Sequence, residues 1–177
     1  MRIEREDICI RDAGAGDCAQ LAAWWNDGSV MAHAGFPLGL GTTAEEIRQK
    51  ISSDSDDTVR RLILEHRGRP VGEANYRNKG GGIAAIGIKI CRPEEQNRGL
   101  GRIVLSLLIR ELFARGYGKI VLDTNANNRR AQHVYELLGF RRVRVNENSW
   151  TNQVGELQSS IDYELTPEDF QDFAPPA

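Results

Sequence analysis

Two groups of residues in this sequence have types and spacings that could do chemistry. The first is Gln96, Asn97, Arg98, Gly99, Leu100 and Gly101, a polar loop that follows the alternating run Ile86, Ile88, Ile90 and precedes a stretch of helical periodicity to about Arg115. A glycine-bearing loop between a strand and a helix leaves several backbone N–H groups unpaired and directed alike at the positive end of the helix dipole, which makes a cradle for an anion. Gly99 and Gly101 open backbone conformations closed to other residues and let a ligand approach with no Cβ in its way. Phosphate is the natural ligand. Arg102 and Ile103 follow Gly101, so the lysine and Ser/Thr of a P-loop are missing, and two glycines stand where a dinucleotide fingerprint needs three. That leaves a pyrophosphate cradle of another type, or an ordinary turn.

The second group decides between these. A strand over Lys119–Asp123 is followed by Asn128, Ala131, Tyr135, Gly139 and Phe140. Together with Gln96, Gly99 and Gly101, these residues at these spacings resemble the GCN5-related N-acetyltransferase (GNAT) family. The resemblance is close from Ile86 to Phe140 and looser outside it. It implies acetyl-coenzyme A as the donor, with its pyrophosphate on the backbone N–H groups from Gln96 to Gly101 and charge added by Arg98 or Arg102. It also implies that the pantetheine arm lies along the preceding strand like an added strand, its thioester carbonyl held by a backbone N–H near Ile88 to Ile90. No metal is implied.

Acetyl transfer to an amine needs a neutral amine, a positioned thioester, a stabilised oxyanion and a proton for the departing thiolate. Tyr135 stands where many family members place a tyrosine beside the sulfur. A phenol of pKa near 10 protonating a thiolate of pKa near 8.5 is uphill by roughly 2 kcal/mol, so a donated hydrogen bond is the easier role. Asn128 matches the amide that bonds the cofactor arm, and would equally suit a helix N-cap. Asp123 ends its strand in a segment similar to the aminoglycoside 6'-acetyltransferases, where an aspartate faces the acceptor amine; it could equally cap the next turn, and the family has no fixed base. Glu73 is the reserve base, and His133 reads as a surface residue.

The elements that must position these groups read as follows. Ile8–Arg11 is a short first strand, and Gly14–Asp17 a turn in which Asp17 caps a helix bearing Leu21, Trp24 and Trp25. Met31–Gly41 lacks a period and reads as a loop; the resemblance implies that it borders the acceptor pocket. Thr42 or Thr43 with Glu45 or Glu46 caps a second helix whose Ile47 and Ile51 face inward. Three strands follow between Arg61 and Ile90, joined by turns at Arg67–Arg69 and Lys79–Gly82. On the helix after the cradle, Val104, Leu105, Leu107, Leu108 and Leu112 form an apolar side, and Arg102, Ser106 and Arg110 fall four apart on the other. Arg141–Val145 and Glu156–Leu165 are the last strands, Asn146–Gly155 a polar connection, and Pro175 and Pro176 a frayed end. The fold class is therefore α/β (α+β), with a mixed, mostly antiparallel sheet and one right-handed parallel strand–helix–strand crossover, the order expected of the acetyltransferase fold.

The 177 residues suit a single domain over 1–177 with its core over 8–165. With 27% charged residues and a formal net charge of −2, no basic excess calls for nucleic acid. Cys9, Cys18 and Cys91 have neither metal-ligand nor disulfide-framework spacing, which fits a reducing compartment. No apolar run reaches the roughly 20 residues of a membrane span, and Met1–Asp7 has no signal-peptide core. The expected protein is cytoplasmic, with no membrane partner and with a homodimer admitted.

A primary amine arrives largely as a cation, so its pocket should offer carboxylates and aromatic faces. The residues expected to rim it are Trp24, Trp25, Asp27, His33, Phe36, Glu73, Tyr76 and Asp123, with a core role the alternative for the paired tryptophans. The expected acceptor is a small cationic amine or a protein N-terminus, attacked directly in a ternary complex. The order of elements also resembles the acetyltransferases of ribosomal-protein N-termini. The rival reading is a catalytically silent coenzyme A-binding sensor or regulatory protein.

Overall fold

The computed structural model describes residues 1–176. Its eight strands are β1 (Arg2–Arg5), β2 (Ile8–Asp12), β3 (Val59–His66), β4 (Arg69–Asn78), β5 (Ile83–Ile90), β6 (Lys119–Asn125), β7 (Arg141–Thr151) and β8 (Leu157–Leu165). They form one sheet in the order β1-β2-β3-β4-β5-β6-β8-β7. Every neighbouring pair is antiparallel except β5 and β6. Parallel neighbours cannot be joined by a hairpin, and the chain crosses between them through α4 (Leu100–Ala114). The mixed, mostly antiparallel sheet with one parallel crossover is the architecture that the sequence predicts.

Period-two alternation divides the sheet into two faces. Leu62, Leu64, Ile86, Ile120, Leu122 and Ile161 turn to one side, where α4 and α5 (Arg129–Leu137) cover them. Ile63 turns to the other, against α1 (Cys18–Trp25) and α3 (Ala44–Ser52). On α3, Thr43 accepts from the Glu46 N–H and Glu46 reaches back to the Thr43 N–H, a complete capping box.

Several elements depart from the sequence reading, each for a local reason. A strand precedes Ile8: β1 pairs with β2 across a tight turn in which Glu6 has a φ of 49°. Its alternation of Arg and Glu with a single Ile hid it. Asp17 occupies the N-cap of α1 without capping it; its carboxylate takes both guanidinium N–H groups of Arg11 and the Gly14 N–H instead. The Arg11 guanidinium holds this carboxyl below the usual carboxylate range. The Met31–Gly41 loop begins as helix, with α2 (Gly28–Met31) and a 3-10 turn over Ala32–Ala34. β7 continues to Thr151, through residues read as a connection, because a bulge at Asn146–Trp150, where Asn148 has a φ of 47°, absorbs its polar residues without ending the pairing to β8. The last residues are packed: Phe170 meets Phe113 edge-on at 5.8 Å and the Gln171 N–H donates to Leu138.

β5 and β6 pair only over Ile83–Ala85 and Lys119–Val121. Beyond that point they diverge, and the rest of β5 has a partner on one side alone, β4. The Cys91 N–H donates to Val71 on the β4 side. By the alternation of an antiparallel ladder, Gly87 and Lys89 also bond toward β4, while Ile88 and Ile90 aim their N–H and C=O groups into the gap.

Candidate active site

The gap between β5 and β6 is the floor of a cavity of about 910 Å³. One end is the predicted cradle. Asn97 and Gly99 sit in the left-handed region, with φ of 58° and 79°, immediately before α4. This reversal turns successive N–H groups toward one point. The N–H groups of residues 97–102 find no acceptor among the described residues. Gln96 fastens the loop to the strand, its amide donating to Ile90 C=O at 2.9 Å. Arg130, on α5, fastens it from the other side by donating to the Gln96 and Asn97 side-chain oxygens at 3.1 and 3.2 Å. Arg102 and Arg130 both line the cavity. Free N–H groups, a helix N-terminus and two guanidinium groups fit a pyrophosphate.

Tyr135 projects from α5 into the middle of the cavity. Its ring is wedged between Phe140 and Tyr163, each 5.8 Å away. Its hydroxyl has no hydrogen-bond partner among the described residues. Burial, reinforced by the Asp123 carboxylate and by Tyr163, pushes the phenol up to about 12. At neutral pH it is therefore a protonated donor whose hydrogen bond is unspent. Asp123 lies on the opposite face of the sheet, paired in register with Asp162, and is exposed to the cavity. Asn128 caps α5 through its side-chain oxygen, which accepts from the Ala131 N–H at 3.2 Å. Its amide N–H groups find no acceptor among the described residues, so the cap and the cavity-lining position coexist in one side chain.

The far end of the cavity is walled by Ser29, His33, Lys89, Asn125, Trp150 and Ser160. The β7 bulge turns Trp150 inward, and its ring presses on Gly35, where a Cβ would stand 2.5 Å from it. The residue at 35 must be glycine on that ground and by its φ of 98°. Gln153 ties the same hairpin to the loop after α2, donating to Gly35 and Gly39 and accepting from the Leu38 N–H.

Of the residues proposed from sequence, Ile88, Ile90, Gln96, Asn97, Gly99, Leu100, Gly101, Arg102, Asn128, Asp123, Tyr135 and His33 come together around this cavity. Arg98 points away and donates to Glu94 C=O. Trp24 is buried in the core between α1 and α3. Asp27 caps α2 through Ser29, and Phe36 sits in the tight turn beyond it. Trp25 stands behind the wall: its indole N–H donates at 2.8 Å to buried Glu73, which also accepts from Lys89 at 3.3 Å. Tyr76 is buried under the end of α4, its hydroxyl donating to Asp56. Large aromatic side chains next to a predicted pocket were drawn into the core by their apolar area. Lys89, Arg130, Asn125 and Trp150 carried no motif; only Lys89, the one charge in the Ile86–Ile90 alternation, left a trace in the sequence.

Residues 36–140 match the model of the Acetyltransferase (GNAT) family, and the chain belongs to that family. Over 63 residues it is 40% identical to the [ribosomal protein bS18]-alanine N-acetyltransferase of Salmonella typhimurium, a match that spans 36% of this chain and 43% of the relative. The chain thus spans less than half the length of the curated relatives it matches. Its fold superposes on a spermidine N-acetyltransferase from Vibrio cholerae solved with CoA and spermine, with a TM-score of 0.80 at 20% identity, covering 93% of this chain and 98% of that one. It also superposes on a ribosomal L7/L12 alpha-N-protein acetyltransferase solved with coenzyme A, with a TM-score of 0.82 at 15% identity, covering 94% and 98%.

Gly101 gives the cradle a direct test. A Cβ there meets nothing within 4 Å in the protein, yet the residue lines the cavity. Gly101→Ala should leave the fold intact or stabilise it by up to about 1 kcal/mol, as an alanine in a first helical turn does. It should at the same time weaken coenzyme A binding about tenfold, measured by thermal unfolding and calorimetry on the same sample.

Proposed function

We propose that the chain transfers the acetyl group of acetyl-coenzyme A to a primary amine, by direct attack within a ternary complex. The observation that carries this reading is the through-sheet cavity. It joins an anion cradle on the α4–α5 face to a wall bearing Asp123 and Trp150 on the α1–α3 face, with the unspent Tyr135 hydroxyl between them. Donor and acceptor can thus enter from opposite faces and meet in the gap. The N–H groups of Ile88 and Ile90 are placed to hold the arm and polarise the thioester carbonyl. Asp123 accepts the ammonium proton, directly or through water, so that the neutral nitrogen attacks. The C–N bond forms, the C–S bond breaks, the nitrogen gives up its second proton through solvent to the sulfur, and Tyr135 donates a hydrogen bond to the departing thiolate.

The acid groups of the wall narrow the acceptor class. Glu95 is occupied by His66 at 2.9 Å, and Glu73 is occupied by Lys89 and Trp25. Asp123 is left as the one open carboxylate among the described lining residues, so the wall offers a single unpaired negative charge. That favours an amine with a single charge, a protein N-terminus above all, over a polyamine. The identity to a ribosomal-protein alanine N-acetyltransferase points the same way.

Thiol release from acetyl-coenzyme A is measured with an alanine-initiated peptide, spermidine, an aminoglycoside and glutamate as acceptors. Turnover should be fastest with the peptide and undetectable with glutamate. Turnover of glutamate alone contradicts the acceptor class, and coenzyme A binding with no turnover of any amine leaves a silent coenzyme A binder. Tyr135→Phe should lower kcat about tenfold to hundredfold and leave the affinity for acetyl-coenzyme A unchanged; an unaltered rate removes the role. Asp123→Asn should lower kcat about tenfold or more with the affinity for acetyl-coenzyme A unchanged, whereas a rate like the parent's assigns the proton to solvent.

A further inference from the structure

The segment after β8 passes along α4 and touches, turn by turn, the three residues that fall four apart on its polar side. Arg110 bonds Asp172 at 2.7 Å and reaches the carbonyls of Ala174 and Pro175. Ser106, fully buried in the middle of α4, accepts from the Phe173 N–H at 2.9 Å. One turn nearer the cradle, the Arg102 guanidinium lies over the Phe173 ring, 5.1 Å from its centroid. The segment is fixed independently at its other end. The Asp169 carbonyl lies 2.0 Å from where a Cβ of Gly139 would stand, and the Gln171 N–H donates to Leu138.

Arg102 thus differs from the other basic residues of α4. Arg110, and Arg115 at the C-cap just beyond it, spend their N–H groups on carboxylates. Arg102 has no carboxylate and no hydrogen-bond partner among the described residues; it lies over an aromatic ring and lines the cavity beside Gly99. A guanidinium bonds anions through its edge and aromatic rings through its face, so the two contacts do not compete. An unheld arginine would lose side-chain freedom on meeting a phosphate, and that loss would be subtracted from affinity.

We propose that Phe173 is a positioning residue for Arg102: the segment after β8 is a strap that holds the guanidinium over an aromatic ring, leaving its N–H groups free for the pyrophosphate of an acyl-coenzyme A in the cradle. This rests on the donor reading above. It assigns a role in donor binding to a segment outside residues 36–140, over which the family is matched.

Coenzyme A is titrated by calorimetry into the purified full chain, its Phe173→Leu, Phe173→Ala and Arg102→Ala variants, and the double variant of Arg102→Ala with Phe173→Leu. Phe173→Leu keeps apolar packing on α4 and removes only the aromatic face, so the fold is retained. Either Phe173 substitution should raise Kd about twofold to fivefold, the range of an exposed cation–π contact. The double variant should bind no more weakly than Arg102→Ala alone, since Phe173 acts through Arg102. In turnover, Phe173→Leu should raise KM for acetyl-coenzyme A with kcat held. Binding by Phe173→Leu as tight as the parent's, or a double variant whose loss is the product of the two single losses, overturns the strap while the donor reading stands. A parent chain that does not bind coenzyme A, or an Arg102→Ala variant that binds like the parent, overturns the strap as well, the first of these by removing the donor reading itself.

Discussion

The arrangement depends on one interruption of hydrogen bonding. β5 and β6 are parallel neighbours that pair over three residues and then part, so Ile88 and Ile90 keep backbone N–H and C=O groups directed at a space with no strand in it. Backbone polar groups turned inward cost free energy unless something bonds them. Gln96 satisfies one, the Ile90 carbonyl. The others remain open for an extended ligand that pairs as a strand would, and the helix needed to connect parallel strands starts with its N-terminus at the same opening. One topological fact leaves both an unpaired strand edge and a helix N-terminus at the same opening.

The same split separates the chemical tasks. Tyr135 and Asp123 sit on opposite faces of the sheet and meet only through the gap, yet the carboxylate still helps to raise the phenol. A phenol so raised cannot serve as a base at neutral pH, which confines Tyr135 to donation. Asp123 is exposed on the other side of the gap, with no hydrogen-bond partner among the described residues. The Trp25–Glu73–Lys89 chain, with Glu73 buried at its centre, brings an ion pair to the wall without leaving a free carboxylate. This turns the wall from the purely acidic and aromatic one expected from sequence into one of mixed sign.

The cradle and the crossover were legible in the sequence because they are local: Gln96, Gly99 and Gly101 act through backbone geometry fixed by their neighbours, and Ile86, Ile88 and Ile90 announce their strand by alternation. The acceptor side was not legible for the opposite reason. Trp150 enters the cavity only because a bulge rotates it and Gly35, over a hundred residues earlier, makes room. Trp24 and Tyr76, which chemistry alone nominated, were taken by the core. Arg102, Ser106 and Arg110 were seen to share a side of their helix, but that side's meaning lay in a segment whose prolines suggested only an unstructured end.

Residue-resolved amide hydrogen exchange, by NMR with and without coenzyme A, tests the central claim most directly, because neighbouring residues on β5 face opposite ways. Binding should slow exchange at Ile88, Ile90 and the 97–102 cradle, and leave Gly87 and Lys89, already bonded toward β4, as they were. Coenzyme A bound with the Ile88 and Ile90 amides unchanged, or with protection spread evenly along β5, would contradict the account.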